Sequence, residues 1–270
     1  MSNLLRRALT ALIAGSVAIA AIVWSSYGMW LFGLIVSMAG VWEFWNMSDS
    51  PKQYRWPAVI VGVLVWVSIA LEYAGMLPSG TFWYGYLLIV PMLGLLLLYQ
   101  ADEERPIERL GELVLAFAYA HIPLVLFYLI AHSGDGYNFR IPIGLLIITW
   151  ALDVGAFFAG KWFGKKPLFK RISPKKTWAG SIGGTIICLA IAASFQFWPE
   201  MQNGVSLPWI ASGMIIALFG QWGDLIESMF KRSSKRKDSG SILPGHGGML
   251  DRFDSMYITM PLLYILFSIL

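Results

Sequence analysis

Charge is scarce in this chain: Asp, Glu, Lys and Arg make up 13% of its 270 residues, about half the share of an ordinary soluble domain. That deficit excludes a soluble globule, because too little polar surface is left to keep a monomer of this size dissolved. Cysteine is nearly absent. Cys188 alone, set in an apolar run, excludes an intrachain disulfide framework and a zinc site built on paired thiols. The nucleotide-binding motifs of soluble folds are missing too, with no GxxxxGK[ST] and no GxGxxG opening a βα unit. What is abundant is apolar: 57% hydrophobic residues, with 13 Trp, 11 Tyr and 16 Phe, and a mean hydropathy of +0.63. Lipid is therefore the solvent for most of the chain. The net charge of +4 does not by itself point to nucleic acid, whose binders carry basic faces on soluble folds, and no nucleic-acid partner is expected.

A bilayer core of about 30 Å needs about 20 helical residues. Nine apolar runs near that length stand between charged or Gly/Pro/Asn/Ser clusters: Ala8 to Trp24, Tyr27 to Trp42, Trp56 to Leu71, Thr81 to Tyr99, Leu110 to Ala131, Ile141 to Ala159, Trp178 to Trp198, Pro208 to Phe230 and Ser255 to Leu270. The expected fold is all-α and polytopic, with about nine membrane helices. Residues 1–140 form an N-terminal helical region and residues 141–270 a C-terminal region that carries the chemistry. With the N-terminus inside, the inner segments hold 19 of the 20 cations and the outer segments only Arg140, the asymmetry that orients membrane proteins. The first run, after Arg6 and Arg7, also resembles a secretory signal, but it is longer than a usual signal core and ends in Trp24, which suits an interfacial anchor. The expected orientation puts the N-terminus and most of the cations on the cytosolic side of the membrane. The glycine pairs Gly160/Gly164 and Gly180/Gly184 permit close helix contact of the kind that makes a homodimer.

Two inner loops hold 13 of the 20 cations. Residues 160–177, GKWFGKKPLFKRISPKKT, carry seven cations and no carboxylate, a pattern that also suits contact with anionic headgroups. Residues 231–254, KRSSKRKDSGSILPGHGGMLDRFD, add Pro244, Gly245, Gly247 and Gly248 to their cations. Glycine-rich backbone beside positive charge is a recurrent way to hold phosphate. Asp153, Asp224 and Glu227 fall within spans or at their inner ends, where an ionised group costs about 2.5 to 3.5 kcal/mol on insertion scales. Asp224 and Glu227 are three apart and share a helix face, as do Asp251 and Asp254 if the last helix starts early. Each carboxylate reads equally as half of a buried ion pair or as a metal ligand. Four of them near one surface favour a divalent metal working on phosphate.

At these residues the chain resembles the phosphatidate cytidylyltransferases, or CDP-diacylglycerol synthases. The family signature is matched without a gap over residues 228–254 through Ser228, Lys231, Arg232, Lys237, Asp238, Gly240, Leu243, Pro244, His246, Gly247, Gly248, Asp251, Arg252 and Asp254. The likeness extends to Asp153, Gly160, Ser173 to Thr177, Gly183-Gly184 and Gly223-Asp224. Val154 to Phe157 depart from it, where the family often has serine and tyrosine. The first 140 residues share only hydropathy and Glu43, so no functional role is carried onto them.

The resemblance implies CTP and phosphatidate as substrates, CDP-diacylglycerol and pyrophosphate as products, and Mg²⁺ as cofactor, with a second metal ion left open. It implies Asp224 and Asp251 as metal ligands with Glu227 in support, and Lys176 and Asp254 beside them as catalytic residues. Lys175 and Lys176 are assigned to the CTP phosphates, and Lys231, Arg232, Lys237 and Arg252 to phosphatidate or pyrophosphate. Asp238, Gly247 and Gly248 join the substrate site. His246 is open between bonding a phosphate, donating a proton and bracing the glycine turn, and Ser173, Thr177 and Ser228 between substrate contact and helix capping. A CTP-dependent polyprenol kinase and a transporter are the competing readings.

Overall fold

Wherever the sequence offers a long apolar run, the chain is helical. The structure, a computed structural model, describes residues 3–48, 55–99, 105–134, 136–202, 208–243 and 247–269. In chain order the helices are α1 (Asn3–Trp24), α2 (Ser26–Met47), α3 (Arg55–Tyr73), α4 (Thr81–Leu98), α5 (Pro106–Ala116), α6 (Ile122–Ile130), α7 (Arg140–Phe163), α8 (Trp178–Ser194), the short α9 (Pro199–Gln202), α10 (Trp209–Ser233) and α11 (Leu250–Ile269). Among the described residues, seven helical stretches are long and apolar enough to cross a membrane: α2, α3, α4, α5 with α6, α7, α8 with the turn after it, and α10. The runs expected as first and last spans are helical but miss that measure. The described apolar part of α1 is only Leu9–Trp24, and α11 opens on Asp251, Arg252 and Asp254.

Local chemistry sets the joints. Ser25, extended, ends α1 and caps α2 by accepting from the Gly28 N–H at 3.1 Å. Helices α5 and α6 form one rod with a widened π turn over Phe117–His121. Pro123 accounts for it: with no N–H it cannot bond the Tyr119 carbonyl, and its ring crowds that oxygen. In the core, Trp66 of α3 seats its ring over Gly33 of α2. The indole N–H of Trp66 donates to Ser37 Oγ at 2.9 Å, and that of Trp30 donates to the Trp66 carbonyl at 2.7 Å. Such pairing matters where no water is present to replace it.

Helices α7 and α8 pack backbone to backbone. A Cβ on Gly184 would lie 2.7 Å from the Leu152 carbonyl oxygen, and one on Gly180 would lie 2.8 Å from that of Ala156. The small-residue spacing at Gly180 and Gly184 is thus taken up within the chain. Gly223 does the same for α10 against the start of α11, where a Cβ would lie 2.5 Å from the Asp254 carbonyl oxygen.

Residues 165–177 depart from the all-helical expectation. They form a hairpin in which β1 (Pro167–Phe169) pairs antiparallel with β2 (Ser173–Thr177), Phe169 opposite Ser173 and Pro167 opposite Thr177. Pro167 and Pro174 bar a helix through this loop. Thr177, extended as the last residue of β2, caps α8 by accepting from the Gly180 N–H at 3.2 Å. The C-terminal ends of α2, α7 and α10, the hairpin and the N-terminal end of α11 all meet at one end of the bundle, where Phe44 and Phe230 stack edge-on at 5.6 Å.

If α7 and α8 need glycine for this contact, Gly184→Leu should lower the melting midpoint of the detergent-purified protein by about 5 °C or more, from overpacking of about 2 kcal/mol. Gly15→Leu, where no atom lies within 4 Å of the added carbon, should leave the midpoint unchanged in the same fluorescence melt.

Candidate active site

Two lysines organise this end of the molecule. Lys176 lies on β2, where successive side chains point to opposite faces. Of the adjacent pair, Lys175 turns outward and is exposed, while Lys176 turns inward and forms an ion pair with Asp224 Oδ2. Asp224 Oδ1 also accepts from Ser228 Oγ at 3.3 Å, one turn along α10. Asp153 of α7 and Asp254 of α11 lie within electrostatic reach of Asp224 and Lys176, and Arg252 within reach of Asp153.

Lys231, one turn beyond Glu227 on α10, is the second organiser. Its ammonium is 3.2 Å from Glu227 Oε1 and donates to Asp251 Oδ1 at 2.6 Å. Glu227 is fully buried. Asp251 Oδ2 accepts three further bonds, from the Ser239 N–H at 3.0 Å, the Ser239 hydroxyl at 3.0 Å and the Gly248 N–H at 2.8 Å. The last reaches back three residues, as the acidic partner of a capping box does. Helix α11 does begin early, at Leu250, so Asp251 and Asp254 share a face.

The loop between α10 and α11 leaves its helix through a left-handed residue. Lys235 has φ 55°, and the Arg236 N–H donates to the Lys231 carbonyl at 2.8 Å, closing a Schellman turn. A non-glycine residue there costs about 1 kcal/mol. At the other end, Gly247 has φ +86° and its carbonyl accepts from the Leu243 N–H at 3.0 Å. A Cβ on Gly247 would lie 2.7 Å from Asp251 Oδ2. This position therefore requires glycine for both conformation and space.

Of the residues expected from the sequence, the structure brings Asp224, Asp254, Glu227, Asp251, Lys176, Lys231 and Arg252 into one charged cluster with Asp153. Lys231 is buried between two carboxylates rather than held out towards solvent. Arg232, in the last turn of α10, and Lys237 and Asp238 on the loop are exposed, and Arg232 donates to the Arg236 carbonyl at 3.1 Å. Gly248 is buried, with its N–H on Asp251. Pro244, Gly245 and His246 lie outside the described residues. Among the described residues, no group of three or more His, Cys, Asp or Glu is arranged to hold a metal.

A sequence profile of the cytidylyltransferase family matches residues 5–270. The chain belongs to this family. Among its relatives, the phosphatidate cytidylyltransferase of Staphylococcus haemolyticus (strain JCSC1435) is 31% identical over 260 residues, 96% of this chain and 97% of that protein. That of Brucella suis biovar 1 (strain 1330) is 30% identical over 271 residues, 98% of this chain and 93% of the relative. That of Bacillus subtilis (strain 168) is 40% identical over 166 residues, and there the match spans 60% of each protein's length. As a family member the protein is an enzyme, a nucleotidyltransferase.

One residue of this cytidylyltransferase outside the signature also reaches the site. Glu43, near the end of α2, is 1% exposed, and its Oε2 accepts from Ser239 Oγ at 3.1 Å and from the Leu250 N–H at 3.0 Å. The available signal was a carboxylate standing alone in an apolar run, which membrane helices rarely tolerate without a purpose.

Replacing Lys231 with Met should strip the compensating charge from Glu227 and Asp251 and destabilise the protein by about 3 kcal/mol. The double variant Lys231→Met/Glu227→Gln should recover part of that loss, and thermal melts of the four proteins in the cycle measure the coupling.

Proposed function

We propose that the protein transfers CMP from CTP to phosphatidate, giving CDP-diacylglycerol and pyrophosphate, at the cytosolic face of the cell membrane. The observation that carries this reading is the charged cluster at one end of the bundle. There, Lys176 and Lys231 each face carboxylates beside loops that hold 13 of the chain's 20 cations. The names of the relatives supply the substrates.

The chemistry suits these groups. The phosphate monoester of phosphatidate is already ionised near neutral pH, so no strong base has to be provided. An oxygen of that phosphate forms a bond to the CTP α-phosphorus. The bond from the α-phosphorus to the bridging oxygen breaks, and its electron pair leaves with pyrophosphate. The barrier is repulsion between two anions and charge build-up on the leaving group, which fixed cations relieve. Lys176 and Lys175 hold the CTP phosphates in this reading. Arg232, Lys237 and Arg252 face phosphatidate and the departing pyrophosphate in this reading, while Lys231 braces the carboxylates; His246 joins that substrate site by its place in the family signature alone.

The donor set fits Mg²⁺, which takes one or two carboxylates and completes its shell with water and phosphate oxygens. Five carboxylates, Asp153, Asp224, Glu227, Asp251 and Asp254, face three cations, Lys176, Lys231 and Arg252. A divalent ion would reduce that excess of negative charge. Asp224 would hold it with Asp254 and Asp153 beside it, and Asp251 Oδ1 retains a lone pair beyond its bond to Lys231. Bound there, Mg²⁺ supplies neutralisation of the triphosphate charge.

With CTP labelled in the base, phosphatidate and Mg²⁺, the detergent-purified protein should move label into organic-extractable lipid. Asp224→Asn should reduce the rate by about 100-fold or more while the protein stays folded. Label that remains aqueous as CDP, with phosphorylated lipid, would identify a CTP-dependent lipid kinase instead and overturn the proposal.

A further inference from the structure

The loop that carries the family signature is held at both ends by a carboxylate from the opposite half of the chain. Glu43 Oε2 accepts from Ser239 Oγ near the beginning of the loop and from the N–H of Leu250, the first residue of α11. The same Ser239 hydroxyl lies 3.0 Å from Asp251 Oδ2. It has a single proton, so it donates to one of the two carboxylates at a time. Two loop glycines have their explanation here as well. The space a Cβ would need at Gly240 is filled by the Glu43 carboxyl group, and at Gly248 by the Ser239 hydroxyl and the same carboxyl group. The glycines thus leave the room in which the carboxylate reaches Ser239 and Leu250.

Because Leu250 starts α11, its bond to Glu43 fixes where that helix begins. The start of the helix sets the direction of Asp251 and Asp254. We propose that Glu43 is a positioning residue for nucleotidyl transfer, clamping Ser239 and the Leu250 amide so that Asp251 is held on Lys231 and on the Ser239 and Gly248 amides. This inference rests on the transfer reaction proposed above. It differs from a purely structural role in one respect: a clamp sets the turnover of the folded enzyme, whereas a structural prop sets only how much enzyme is folded.

The test compares wild type with Glu43→Ala, Glu43→Gln and Ser239→Ala in the CTP transfer assay. Hydrogen exchange at the Leu250 amide of the purified full-length protein is measured alongside. Glu43→Ala should lower kcat of the folded fraction by about 10- to 100-fold, the usual range for groups that orient a ligand from behind, with KM for CTP changed by less than about threefold. The Leu250 amide should exchange faster. Glu43→Gln keeps an acceptor for both bonds and should restore kcat to within about threefold of wild type. Ser239→Ala should lower kcat by about 10-fold, and it carries the test if Glu43→Ala fails to fold. Wild-type kcat in folded Glu43→Ala or in Ser239→Ala overturns the proposal, as does a Glu43→Gln variant as slow as Glu43→Ala. A wild-type protein without transfer activity counts against the assigned reaction instead, and an unaltered Leu250 exchange rate in Glu43→Ala counts against the clamp alone.

Discussion

The ammonium of Lys231 is the constraint on which the loop end of the molecule depends. Glu227 and Asp251 come from helices adjacent in space but separated by a polar loop, and neither could remain in this low-dielectric position without a cation between them. By joining the last turns of α10 to the first turn of α11, Lys231 fixes both ends of that loop. The bonds from Ser239 and Gly248 to Asp251 then determine its path. Lys176 acts in the same way for a different pair of elements, tying the hairpin to α10 through Asp224. The helical bundle supplies rigid walls, and these ion pairs decide what the walls face.

Much of this architecture is legible in the sequence because its signals are strong ones. Apolar runs bounded by charge announce helices, and all nine expected runs lie on helices. Composition fails only at the margins, where Asp251, Arg252 and Asp254 lower the hydropathy of a helix that nonetheless forms. The hairpin was hidden because residues 165–177 show neither apolar alternation nor a two-residue turn signal. Its strands are made by backbone pairing and by the extended cap of α8. The difference between Lys175 and Lys176 was invisible for the same reason, since it follows from the strand's alternation.

Glu43 illustrates a different limit. The motif that marks this family is contiguous, and a reading that follows the motif stays within residues 228–254. The partners of Glu43 lie 196 and 207 residues away, and neither periodicity nor spacing carries information over that separation. From sequence Gly248 reads as part of a phosphate-holding glycine stretch, and Gly240 only as a match to the family signature. In the structure they are the complement of a buried carboxylate. The glycine-rich stretch is thus shaped first by what lies behind it.

The tryptophans around the charged cluster have a consequence for its height in the bilayer. Trp162 at the end of α7, Trp178 two residues after Lys176, and Trp222 two residues before Asp224 all turn outward from the bundle. Indole rings favour the headgroup level, which in a bilayer would set the Lys176–Asp224 pair near the depth of the lipid phosphates. A thicker or thinner membrane must tilt the helices or deform around them before it can shift that pair along the normal. With these anchors the depth of the cluster would be set by the protein rather than by the lipid surrounding it.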